Sequence, residues 1–245
     1  MPSVYHETLP AIDVEEFRKV VRSRRSVRRF TPEPVPAAVV DDCIDMALLA
    51  PNSSNLQPWQ FIIVESAEKR AALAEACLGQ NAAKTAPVMI ACIARTSTWK
   101  ANSLRTLEVW PEETVPKIIQ DYYGKLALFH YNQGPLGVLG LAKKAMGAVA
   151  GLAKAVPRGP YSPSEMRVWA AKSTALACEN LMLAFRAHGY DTCPMEGFDE
   201  WRVKKILNVP RDGFVVMIVA AGKRADNGVY HRQFRFPRDE FVSRV

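Results

Sequence analysis

A chain of 245 residues, 49% hydrophobic and 23% charged, is long enough to bury a sizeable core, and one large domain spanning 1–245 is the default organisation. Its net charge of +7 favours anionic partners without choosing between nucleic acid, an acidic membrane surface and phosphate-bearing cofactors. The cysteines Cys43, Cys77, Cys92, Cys178 and Cys193 form an odd set with no CxxC pair and no metal-ligand spacing, which argues against a disulfide framework or a zinc site. With no basic start and apolar run at the N-terminus, and with polar residues interrupting the longest uncharged run (Leu126 to Ala142), a cytoplasmic location is expected.

From Asp13, the pattern DVEEFRKVVRSR predicts an amphipathic helix that ends near Arg24. Asp13 is its N-cap, Glu16 completes a capping box, and Val14, Phe17, Val20 and Val21 form the apolar face. After the turn-rich FTPEPVP, Pro36 suits a first helical position, and a second helix follows with Val39, Val40, Cys43, Ile44 and Leu48 facing inward. Pro51 stops it. The run WQFIIVES reads as a buried strand, EKRAALAEACL as a helix and PVMIACIA as a second strand. Ser164 is a candidate cap for a long helix ending at Gly189, which suits the left-handed position after a helix. A short helix DEWRVKKIL and the strand FVVMIVAAG complete the core. Strands separated by helices imply an α+β or α/β sheet with helices packed over it. Residues 97–163 stand outside as an insertion with an apolar, Gly/Ala-rich part. The tail from Lys223 carries aromatics that are expected to be held against something.

Four segments carry chemistry. Arg24 to Phe30, RRSVRRF, sets guanidinium forks around a serine hydroxyl; it reads as a phosphate site or, more commonly for a basic run, as a solvated or nucleic-acid-binding surface. In APNSSNLQPWQF, Asn52, Ser53, Ser54, Asn55 and Gln57 supply neutral donors and acceptors for a polar heterocycle; the competing reading is a loop in which they satisfy its own backbone. In CPMEGFD, Pro194 fixes a backbone angle and Gly197 permits close approach to a flat ring, while Glu196 reads as a general acid or an ordinary surface carboxylate. The arginines of HRQFRFP could meet the same phosphate as Arg24 or form a solvated basic tail.

In this order and spacing, RRSVRRF, PNSSNLQPWQF, PMEGFD and RQFRFP resemble the nitroreductase family of FMN-dependent oxidoreductases. The resemblance brackets residues 22 to 237 and is weakest across the insertion. It implies an α+β fold with a mixed sheet, helices on both faces, and a homodimer with FMN at the subunit interface. It further implies that Arg24, Arg25, Ser26 and Arg28 hold the phosphate and ribityl chain, with Arg235 returning from the tail; Gln233 stands where family members often carry Lys, and Arg232 is its candidate substitute. Asn52, Ser53, Ser54, Asn55 and Gln57 are then expected to meet the other subunit's flavin. Pro194, Met195, Glu196 and Gly197 are expected beside the ring, and Gln80 or Asn81 is a further candidate contact. NADH or NADPH is the implied donor and a nitroaromatic, quinone, activated alkene or similar small molecule the acceptor, in a ping-pong cycle. The flavin carries the reactivity, so no catalytic side chain and no metal ligand is assigned. The alternatives are a flavin-binding or flavin-processing protein without general reductase activity, and a nucleic-acid-binding protein using the basic segments. No standard nucleic-acid motif supports the latter. The insertion is expected to be a lid, extra interface or a membrane contact.

Overall fold

The computed structural model describes residues 6–245. Helix α1 (Val14–Ser23) starts at Asp13, whose carboxylate accepts the amides of Glu15 and Glu16 at 2.8 and 3.4 Å. The reciprocal half of the expected capping box does not form, because Glu16 pairs forward with Lys19 at 2.6 Å. No residue of α1 is buried, and its apolar face of Val14, Phe17 and Val21 is open in the single chain. Pro36 lies just before α2 (Ala37–Leu48), not inside it. Val40, Cys43 and Ala47 bury the inner face of α2, whereas Leu48, expected inward, is exposed because it falls one position past the buried stripe.

The sheet holds β1 (Trp59–Ile63), β2 (Val88–Arg95), β3 (Asp191–Met195) and β4 (Gly213–Gly222) in the order β1-β2-β4-β3. All three ladders are antiparallel. The mixed sheet expected from the resemblance therefore reduces to one isolated parallel bridge, Ser26 to Thr192. The β1–β2 and β3–β4 connections start and end at the same end of the sheet and so join antiparallel neighbours, whereas β2 and β3, both antiparallel to β4, run parallel to each other and are joined by the long helical crossover between them. A bulge interrupts the β2–β4 ladder: Cys92 faces Met217 while Ile93 faces Val215, leaving Val216 over.

Period-2 alternation sends β2 side chains to both faces. Met89, Ala91 and Ile93 join Ile218 and Ala220 of β4 beneath α3 (Ala67–Ala76), α4 (Asn81–Thr85) and α10 (Glu200–Leu207), through Leu73, Ala82, Val203 and Leu207. Ile90 and Cys92 pack with Val219 against α2 and α9 (Pro163–Ala187), through Leu181, Met182 and Phe185. Each fully buried Leu, Ile, Val, Met or Phe among these contributes about 1.5–3 kcal/mol relative to exposure. The cap of α9 is Ser162, which accepts the Glu165 amide at 3.2 Å; Ser164 lies inside the helix, because Pro163 takes the first position where its missing amide costs nothing. Gly189 has φ +81° just past the helix end, as its position in the sequence suggested.

The 97–163 region is helical. It comprises α5 (Trp99–Glu108), α6 (Lys117–Asp121), a π turn over Tyr122–Leu126, α7 (Ala127–Tyr131) and α8 (Val138–Ala150). Tyr123, Ala127 and Tyr131 pack with Met166, Trp169 and Phe214, which fixes α7 to the body of the molecule. Among the described residues, no helix is long and apolar enough to cross a membrane.

Candidate functional site

The segment after α1 enters the sheet edge. Ser26 bridges Thr192 of β3, and the Val27 amide donates to the Thr192 carbonyl at 3.0 Å. Val27 itself is fully buried, so the chain pins an apolar side chain inward and turns the flanking Arg25, Ser26 and Arg28 along the surface. The tail then runs beside it: the Arg28 amide donates to the Gly228 carbonyl at 2.7 Å, and Phe30 bridges Arg224. Gly228 makes this pass possible, since a Cβ there would lie 2.6 Å from the Arg29 carbonyl oxygen.

Asp191, at the start of β3 and 5% exposed, locks the start of the tail. It accepts from Arg224 Nε and Nη2 at 3.1 and 2.7 Å, and from Arg186 Nη1 at 2.8 Å. The tail beyond is thereby laid over the arginine segment. Arg25 Nη2 donates to the His231 carbonyl at 2.5 Å, and Asn81 Nδ2 donates to the Tyr230 hydroxyl at 3.2 Å. That bond, with Arg29 and Arg28 nearby, holds the exposed Tyr230 phenol below its ordinary pKa.

Between the two segments lies a cavity of about 370 Å³, lined by Arg24, Arg25, Ser26, Arg28 and Arg235 with Tyr230, His231 and aromatic tail side chains. Gln233 also lines it. Among the described residues, none of these arginines makes a salt bridge. Arg28 Nη1 instead donates to the Cys193 thiol at 3.2 Å. Burial raises that thiol's pKa while Arg28 pulls it down. Guanidinium groups gathered without carboxylate partners, beside a hydroxyl and in a partly enclosed space, have the donor chemistry that suits an anion.

The other sequence-predicted residues fall elsewhere. Pro194 and Met195 belong to β3 and pair with Val219 and Ile218; Met195 is 2% exposed in the core, so any contact it makes with a ring is through its backbone. Glu196 and Gly197 follow on the surface, where Gln80 Nε2 donates to the Gly197 carbonyl at 2.7 Å. Gln80 thus reaches the PMEGF segment and Asn81 reaches the tail. The PNSSNLQ loop lines none of the arginine cavity. Asn55 and Gln57 line a second cavity, of about 460 Å³, with Asn102 and Arg105. Asn52 accepts the Gln57 amide at 2.7 Å, a local bond of the kind expected from the loop's own backbone reading.

The serine hydroxyls are already engaged: Ser53 with Tyr131 at 2.9 Å, and Ser54 with Tyr122 and Tyr131 at 2.6 and 2.9 Å. Sequence reasoning missed these tyrosine partners, and it missed Asp191 and Cys193 at the arginine site. The alternation of Arg with aromatics in the tail was the available signal for Tyr230, Phe234 and Phe236.

Fold and site together define an α+β protein with an arginine-lined cavity, free of carboxylates in its lining, at a sheet edge. The family model described as the nitroreductase family matches residues 21–223, and the chain belongs to that family. It is similar to an NADH dehydrogenase of Thermus thermophilus, 28% identical over 235 residues that cover 96% of this chain and 97% of the relative. It also resembles a 4-nitrobenzoate reductase of Pseudomonas putida, 27% identical over 233 residues and covering 94% of each. A nitroreductase from Exiguobacterium sibiricum, solved in complex with FMN, shares the fold with a TM-score of 0.68 at 24% identity, covering 98% of this chain and all of the other.

Proposed function

We propose that the protein is an FMN-dependent oxidoreductase that takes electrons from NADH or NADPH and passes them to a small organic acceptor in a ping-pong cycle, working as a homodimer. The observation that carries this reading is the cavity at which Arg24, Arg25, Arg28 and Arg235 converge without carboxylate partners. The donor set fits a phosphate monoester: planar forks for bidentate contact, and Ser26 for a short hydrogen bond. FMN, when bound, supplies the two-electron chemistry.

The chain's own residues bind and orient. Arg24, Arg28 and Arg235 hold the phosphate, and the surface backbone at Glu196 and Gly197 lies beside the ring. Asn55 and Gln57 are assigned to the flavin of the partner subunit, a reading supported by their lining a cavity apart from the arginine site of their own chain. The exposed apolar face of α1 and the exposed Val168 and Leu176 of α9 support a subunit interface over this part of the surface. Nitroaromatics, quinones and activated alkenes are the expected acceptor classes; the names of relatives that reduce 4-nitrobenzoate and an enone support this range.

Anaerobic titration with NADH and then NADPH, followed by each acceptor class, tests the reading. Bleaching of the bound flavin by one nucleotide and recovery on adding acceptor are expected. A bound flavin that neither nucleotide reduces means a flavin-binding protein without reductase activity. Light scattering should give a dimer, and a monomer with FMN fully bound contradicts the interface assignment.

A further inference from the structure

Helix α8 is built inside out. Its packed side carries Gly140, Lys143 and Gly147, with Gly151 as its C-cap, and a Cβ on any of the three glycines would collide with Tyr161 or Arg158. Lys143 is buried and donates to the carbonyls of Phe129, His130 and Asn132 at 3.0, 2.7 and 2.7 Å, so it clamps the helix to the exposed carbonyl end of α7. With a lysine and glycines turned inward, the apolar side chains point away from the molecule. Leu141, Met146, Val149 and Leu152 are each 64–89% exposed, and Leu136 in the preceding turn is fully open. At about 100° per residue, Val138, Leu141, Ala142, Ala145 and Val149 share one arc with no charge in it.

The charge around this face is one-signed. From Tyr122 to Ser164 the sequence contains no Asp or Glu, while Lys125, Lys143, Lys144, Lys154 and Arg158 lie within it. Lys144 and Lys154 are exposed, Lys144 within α8 and Lys154 four residues past its end. A second copy of the same face would bring cations against cations with no carboxylate to meet them. None of the apolar side chains lines either cavity described above, so the face is not turned toward the proposed cofactor site.

We propose that α8 and the turn before it dock on an anionic lipid bilayer, with Leu136, Leu141, Val149 and Leu152 entering the headgroup boundary while Lys144 and Lys154 meet acidic headgroups. The interaction is peripheral: α8 is 13 residues long and lies on the surface. It is independent of the cofactor reading.

Co-sedimentation of the full chain with vesicles tests it, using phosphatidylcholine alone and phosphatidylcholine with about 30 mol% phosphatidylglycerol. Binding to the anionic vesicles is expected at least about tenfold above the neutral ones, and weaker as salt rises toward about 0.5 M. Two paired variants alter exposed positions only: Leu141→Glu with Val149→Glu, and Lys144→Glu with Lys154→Glu. Each should lower anionic-vesicle binding about tenfold or more while leaving the melting temperature and oligomeric state of the protein unchanged. Failure of the wild-type chain to sediment with anionic vesicles overturns the proposal, as does binding that neither pair reduces. If Leu141→Glu with Val149→Glu splits an oligomer and leaves vesicle binding as it was, the face belongs to a second copy and the proposal falls.

Discussion

Replacing Asp191 by Asn should unlatch the tail from the sheet. The carboxylate is 5% exposed and receives three guanidinium N–H groups, two from Arg224 and one from Arg186. An amide of the same shape keeps one acceptor oxygen but turns an NH₂ toward groups that can only donate. Breaking a buried ion pair by removing one partner costs about 3–5 kcal/mol when the abandoned charge stays buried. Here the arginine side chains are 21% and 35% exposed and can turn to water, so a loss of about 2–3 kcal/mol is expected. For a chain of this size that corresponds to a fall in melting temperature of about 4–12 °C. Thermal unfolding of the flavin-free protein measures it directly. Arg224 begins the segment that forms one wall of the arginine cavity, so FMN affinity should fall as well. A variant that melts within about 1 °C of the wild type refutes the latch.

Arg24→Ala removes a charge-assisted contact to the phosphate and should weaken FMN binding by about 1.5–3 kcal/mol, ten- to a hundredfold, in a titration of the flavin-free protein; unchanged affinity returns the segment to ordinary surface charge. Gly228→Ala places a Cβ 2.6 Å from the Arg29 carbonyl oxygen and should cost about 1–3 kcal/mol in stability, with a parallel loss of FMN affinity as the tail moves off the arginine segment. Asp212 is a pH probe. Burial works against its ionised form, but the hydrogen bonds from Arg95 and Ser97 outweigh it and hold the pKa below the usual 3.8. A pKa depressed by folding contributes stability that is present above the unfolded value and lost as pH falls through the folded one. Urea unfolding should therefore show Asp212→Asn to be less stable at neutral pH and to lose less as pH falls below the usual carboxylate value, whereas an acid limb parallel to the wild type contradicts the assignment.

Elements with strong periodicity were legible in the sequence. The apolar runs that became β1, β2 and β4, and the helical patterns that became α1, α9 and α10, rest on local chemistry that the chain states openly. β3 was not legible. Asp-Thr-Cys-Pro-Met lacks the β-branched run of its neighbours, and Pro194 speaks against a central strand; it is tolerated because β3 lies at the sheet edge. The displaced cap of α9 has a similar source, since Ser162 and Ser164 are both plausible until Pro163 is given the first helical position.

The site divides in the same way. The arginines and Ser26 could be named from sequence because their donor geometry is intrinsic to the side chains. The groups that meet them, Cys193 for Arg28 and the His231 carbonyl for Arg25, and those that hold the tail over them, Asp191 and Asn81, lie far away along the chain, and only the fold brings them together. Ser53 and Ser54 show the converse: their hydroxyls looked available, but tyrosines about seventy residues further on take them up. The inverted face of α8 was hidden by composition. A Gly/Ala/Leu/Lys sequence does not reveal that its glycines and one lysine pack inward.

An arginine cavity that recognises the phosphate of a flavin must separate FMN from riboflavin, which differ only by that phosphate, when each is titrated into the flavin-free protein. Binding of FMN at least about a hundredfold tighter is expected, and Arg24→Ala combined with Arg28→Ala should collapse most of the difference. Equal affinity for the two flavins, or a preference for FMN that survives both substitutions, would contradict the assignment of the cavity.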